Sequence, residues 1–206
     1  MVLITIAILV YIGRKMEYLN TVEKVLLEID DVLWSIDHSK LSNLVNLLAT
    51  SNIKILGYSA GRMGFGLKAF MMRLNHLGIP AYWFGDNYIP PMNENDIFIC
   101  CSNSGETKSV LNIMEIFKNK SHGKTVSFVG NECSSMGKSA DLCIKFKTCN
   151  GGLNSADDPS KINSIQPMTT LTEQSMFILF DIIVLMLIEK LNINLNDTKQ
   201  FHSNVE

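Results

Sequence analysis

Ser102-Asn103-Ser104-Gly105-Glu106-Thr107 places three side-chain hydroxyls and a glycine directly behind the apolar run 97–101. A helix pattern follows, so the stretch lies between a buried strand and a helix start, where open α/β sheets bind ligands. The first turn of a helix offers unpaired N–H groups and a positive dipole end, which suit a phosphate. The bland alternative is a capping box from Ser104 to Thr107. Capping accounts for one hydroxyl, not for three and a glycine at a strand end. The expected ligand is a small molecule with an anionic tail, held by Ser102, Asn103, Ser104, Gly105, Glu106 and Thr107.

A second turn, Gly61-Arg62-Met63-Gly64, follows another short apolar run in the same way. Arg62 could pair with a phosphate or an enolate-type oxygen, or could form an ordinary loop salt bridge. Glu173 stands at the start of a very apolar helix, where a carboxylate is partly desolvated. From the residues alone it reads equally as a proton-transfer group or as a first-turn glutamate favouring the helix dipole. His76 and His202 are candidates to move protons or polarise a carbonyl. A lone histidine on an apolar helix such as His76 reads equally as structural. His202 lies in a polar tail that would have to fold over the site, from its own or a neighbouring subunit. No set of residues has metal-ligand spacing, and no metal or other cofactor is expected.

Positioning these groups requires a particular architecture. Helical spacing of apolar residues runs from Val22 to Leu33, and a second short helix covers about Leu41 to Ala49. Apolar runs at 53–58, 81–85, 97–101, 125–129 and 142–146 are strand-length, and helical stretches separate several of them. Nearly all-apolar strands alternating with helices indicate a parallel sheet covered on both faces. The expected fold is α/β: a doubly wound, mostly parallel five-stranded sheet with helices on both faces, flavodoxin-like in kind. The stretch 149–163, rich in Gly, Asn, Asp and Ser, reads as a surface loop.

The last helix, about Leu171 to Leu191, is interrupted between Met176 and Ile188 only by Asp181. Its fully apolar part is short for a membrane span and carries an acid. A helix apolar on all sides is otherwise buried, and in a domain of this size the surplus face suits a subunit contact. A homodimer or homotetramer is expected, with no membrane partner.

Composition narrows the function further. The chain has 206 residues, 47% of them hydrophobic, and a net charge of -2. That is enough for one buried core, and Lys and Arg form no run that would track a nucleic acid. Of five cysteines, an odd number without a two-residue spacing, Cys100 and Cys101 end an apolar run and read as buried thiols, which suits a reducing compartment and hence a cytoplasmic protein. Residues 1–15 form an apolar extension with its charges after the run, the reverse of a secretory signal. They are expected to be an untranslated upstream stretch, with Met16 the initiator and the domain spanning 16–206, the alternative being a short membrane-associating tail.

The serine-rich stretch resembles the signature of SIS (sugar isomerase) domains, which bind phosphosugars. Met72-Arg73-Leu74-Asn75-His76-Leu77-Gly78, Gln166-Pro167-Met168-Thr169-Thr170-Leu171-Thr172-Glu173-Gln174 and the tail His202-Ser203-Asn204-Val205-Glu206 are similar to the 6-phospho-3-hexuloisomerases within that family. The resemblance runs over 16–206. It implies conversion of arabino-3-hexulose 6-phosphate to fructose 6-phosphate through an enediolate, as the step after a hexulose-6-phosphate synthase in formaldehyde fixation. It also implies Glu173 as catalytic base, His76 and His202 as proton shuttles, and Gly61, Arg62 and Met63 with 102–107 as the phosphosugar site. Arabinose 5-phosphate isomerases and non-catalytic phosphosugar sensors share the loop and are the alternatives. Met63 departs from the serine usual after the arginine, and Phe201 from a basic residue. A lost neutral hydrogen bond costs about 0.5–1.5 kcal/mol.

Overall fold

The computed structural model describes residues 2–148 and 162–194, with side chains from Lys15 onward. In chain order the elements are α1 (Val2–Trp34), α2 (His38–Leu48), β1 (Ile55–Ser59), α3 (Gly61–His76), β2 (Ala81–Trp83) and β3 (Ile97–Ser102). They continue with α4 (Lys108–Ser121), β4 (Lys124–Val129), α5 (Ser135–Ser139), β5 (Leu142–Lys145) and α6 (Thr170–Leu191).

β3 is buried at all six positions, which only a strand covered on both faces can be. Its side chains alternate: Ile97, Ile99 and Cys101 join one core cluster, Phe98 and Cys100 the other. The first cluster is closed by residues of α1, α2, α3 and α6, such as Val32, Leu44, Leu67 and Ile183. The second is closed mainly by Val110, Ile113, Met114 and Phe117 of α4 with Met136 of α5. The sheet order is β2-β1-β3-β4-β5 with every pairing parallel. This is the doubly wound five-stranded sheet expected.

The differences from expectation are local. α5 is a five-residue helix between β4 and β5, too short to leave a periodic trace. α2 begins at His38 because Asp37 Oδ1 accepts from Ser39 N (2.9 Å) and Lys40 N (3.1 Å), a side-chain cap that satisfies two of the helix's first N–H groups. The boundary drawn between residues 15 and 16 falls inside α1. The stretch 149–161 and the tail containing His202 lie outside the described residues. α6 is long and apolar enough to cross a bilayer. Here Met176, Leu179, Phe180, Ile183 and Leu187 are buried in the first cluster, with Phe180 stacked on Phe70 of α3 at 4.5 Å.

Candidate active site

β1 and β3 are neighbours in the sheet, but their following helices lie on opposite faces, which opens a crevice at their C-terminal ends. Ser59 and Ser102 end these strands, and Ser59 Oγ donates to Cys101 O (2.7 Å) across them. A cavity of about 680 Å³ opens there, lined from α3 by Gly61, Arg62 and Met63, from the β3–α4 turn by Ser102, Asn103, Ser104 and Thr107, and from α6 and its approach by Met168, Thr169 and Glu173. This volume is ordinary for a small-molecule site.

Three helices begin at this cavity, and none of them is capped by a side chain: Ala60, Thr107 and Thr169 stand at the cap positions of α3, α4 and α6 without such a bond. The two helices that start elsewhere and have a described cap, α2 and α5, are capped by Asp37 and Ser134. Uncapped first-turn N–H groups are left for an anion. Gly61, at φ +63, makes the tight entry to α3 that a side chain would strain.

The serine turn is internally knitted. Ser102 Oγ accepts from Gly105 N (3.1 Å), and Ser104 Oγ from Glu106 N (3.2 Å). Thr107 Oγ1 lies 2.8 Å and Ser104 Oγ 3.3 Å from Ser102 Oγ. The two hydroxyl–hydroxyl contacts use two of the three O–H hydrogens, so in this arrangement the turn offers a phosphate one free hydroxyl hydrogen, with the others able to turn outward. Asn103 is buried and faces inward. Its Oδ1 accepts from Thr172 Oγ1 (3.0 Å) and Thr148 Oγ1 (3.2 Å), which fixes the spacing between this turn and the residue before Glu173.

Glu173 is 12% exposed at its side chain, while its neighbour Arg62 is 63% exposed. Glu173 Oε1 accepts from Thr169 Oγ1 (2.7 Å), the four-residue spacing of one helical turn. Oε2 lies 2.9 Å from Arg62 Nη1, whose directed hydrogen bond goes instead to Thr170 Oγ1 (3.1 Å). Oε2 is buried and accepts no hydrogen bond among the described residues. The carboxylate is thus oriented by one oxygen and left with an open acceptor on the other, beside a cation. That is the arrangement of a base that can take a proton from carbon.

Several expected site residues sit elsewhere. Glu106 turns away: its Oε1 accepts from Ser135 N (2.7 Å), and those Ser135 hydrogen bonds hold its carboxyl below the usual range. It anchors α5 to the turn. Gly105 allows close approach, but of protein: a Cβ there would overlap Ser134 Oγ, and its φ is +68. Its N–H is used by Ser102. Met63 is 6% exposed and belongs to the first core cluster, so its side chain serves packing as well as the cavity wall. His76 ends α3, fourteen residues from Arg62, which is about 21 Å along a helix. It does not line the cavity of its own chain.

The residues that sequence reasoning did not single out are Thr169 and Thr170, which hold Glu173 and Arg62. Thr169 precedes Glu173 by four, a spacing that pairs side chains on a helix. Cys101 also borders the cavity, but burial pushes its thiol well up, which leaves no thiolate for nucleophilic chemistry.

A family model described as SIS domain matches residues 47–151. The 3-hexulose-6-phosphate isomerase of Bacillus subtilis is 32% identical over 185 residues, covering 90% of this chain and 97% of that one. The protein of the same name from Methanocaldococcus jannaschii is 28% identical over 167 residues, covering 81% and 84%. A solved Methanococcus jannaschii structure, described as inferring the function of 3-hexulose-6-phosphate isomerase, superposes with a TM-score of 0.72 at 25% identity over 92% of this chain and 99% of that one.

Proposed function

From the premise that the chain belongs to the SIS-domain family and is a phosphosugar isomerase, we propose that it interconverts arabino-3-hexulose 6-phosphate and fructose 6-phosphate. The observation that carries this reading is the single cavity shared by the hydroxyl-lined turn and the Glu173 carboxylate.

The 6-phosphate sits against Ser102, Ser104 and Thr107 and the open N-termini of α3 and α4. The other end of the sugar then reaches Glu173. Glu173 Oε2 removes the C2 proton, the electron pair forms the C2–C3 double bond of an enediolate, and the C3 ketone oxygen takes the charge. Returning the proton to C3 while the O2 hydroxyl proton passes to O3 leaves the ketone at C2. One carboxylate serves both carbons, and no redox partner is consumed. Arg62 neutralises the oxyanion as it forms, which is where a preorganised cation contributes most. His76 could relay the hydroxyl proton only from a second copy of the chain. A hexulose-6-phosphate synthase would supply the substrate.

The test mixes the protein with ribulose 5-phosphate, formaldehyde and such a synthase, and follows fructose 6-phosphate through coupled enzymes. Steady product is expected, and Glu173→Gln should lower kcat by about 10²–10⁴ while phosphosugar binding persists. Tight binding with no turnover by the parent protein would favour a non-catalytic sensor and end the proposal. Turnover of arabinose 5-phosphate in place of the hexulose phosphate would move the assignment to that neighbouring reaction.

A further inference from the structure

Glu28 lies within two turns of the C-terminal end of α1, well over a hundred residues from the base, yet among the described residues its side-chain hydrogen bonds go to one short segment. Its Oε2 accepts from Ser164 Oγ (2.6 Å) and Gln166 Nε2 (3.0 Å), and its Oε1 from Ile165 N (2.8 Å). Gln166 is buried, and its own N–H donates to Ser164 Oγ (2.9 Å). The segment leads straight into the site. Thr170 N closes a turn on Pro167 O (3.2 Å), Met168 takes φ +54, and Thr169 donates to Glu173.

We infer that Glu28 is a positioning residue: it clamps the strap 164–169 and thereby, through Thr169, aims the Glu173 carboxylate. The inference rests on Glu173 being the base. Three donors converge on two oxygens, and only an acceptor-only group satisfies all of them. A left-handed conformation at a non-glycine such as Met168 is disfavoured and persists only where its surroundings impose it. The clamp is that surrounding. It is separable from the fold, because α1 is held to the core by Ile29 and Val32, which are buried apolar residues.

The experiment compares Glu28→Ala and Glu28→Gln, alone and combined with Glu173→Gln, by kcat, KM and thermal melting. Glu28→Ala should lower kcat about 10–100-fold, the scale of a misaimed catalytic group, and move KM less than about threefold. Glu28→Gln keeps an acceptor and should fall between. In the Glu173→Gln background, removing Glu28 should cost nothing further, because no base remains to aim. An equal loss of kcat in both backgrounds, or a rise in KM with kcat unchanged, overturns the role assigned to Glu28 while leaving Glu173 as base. Parental turnover by Glu173→Gln alone strikes instead at the reading beneath it. Should Glu28→Ala unfold, the milder Glu28→Gln carries the same comparison.

Discussion

Met63 shows how one side chain can be claimed by two demands. A serine here would add a hydroxyl at the mouth of α3, worth about 0.5–1.5 kcal/mol to a bound phosphate. The methionine instead fills the first core cluster at 6% exposure. Truncating a buried methionine costs about 2–5 kcal/mol. Met63→Ser should therefore lower the melting temperature clearly, while KM for the phosphosugar improves by about tenfold at most. A melt unchanged from the parent would show that the side chain carries no packing load. The same turn already has the uncapped N–H groups of α3, which explains how the site can spare the hydroxyl.

At the scale of elements, the serine turn depends on α5, which packs on it from outside the cavity. Gly105 O accepts from Met136 N (3.0 Å), Glu106 accepts from Ser135 N, and Ser134 fills the space where a Gly105 side chain would be. Gly105→Ala should strain the backbone by about 1–2 kcal/mol and drive α5 away from the turn, raising KM more than it lowers kcat. If substrate affinity survives the change, the turn does not need α5. This dependence marks the limit of what the sequence carries. Apolar runs such as 97–101 and helical spacing such as Val110, Ile113, Met114 and Phe117 are local signals, and they place the sheet, α4 and the serine turn correctly. The pull of Ser135 on Glu106 spans 29 residues, and that of Ser164 on Glu28 spans 136. No spacing rule encodes such pairs, so Glu106 was read as a ligand and Glu28 not at all. α5 itself has only five residues, less than two helical turns.

For the whole molecule, the unresolved demand is the apolar face that α3 and α6 leave outside. Phe177 of α6 and Met72 of α3 border one shallow cleft between these helices, and Phe65 and Leu185 extend the face at 74% and 64% exposure. Arg73 and Asp181 line the same cleft with opposite charges. A patch that is apolar at its centre and carries both signs suits a second copy across a two-fold axis, each arginine meeting the other copy's aspartate. We therefore expect a dimer or tetramer by light scattering. Phe177→Glu with Met72→Glu should shift it toward monomer, since two buried carboxylates would then face apolar partners. Because α3 and α6 carry Arg62 and Glu173 in their first turns, the monomeric variant should also lose turnover. A parental protein that stays monomeric at micromolar concentration, or a double variant of unchanged mass, removes this face as the contact and leaves His76 with no route to the reaction.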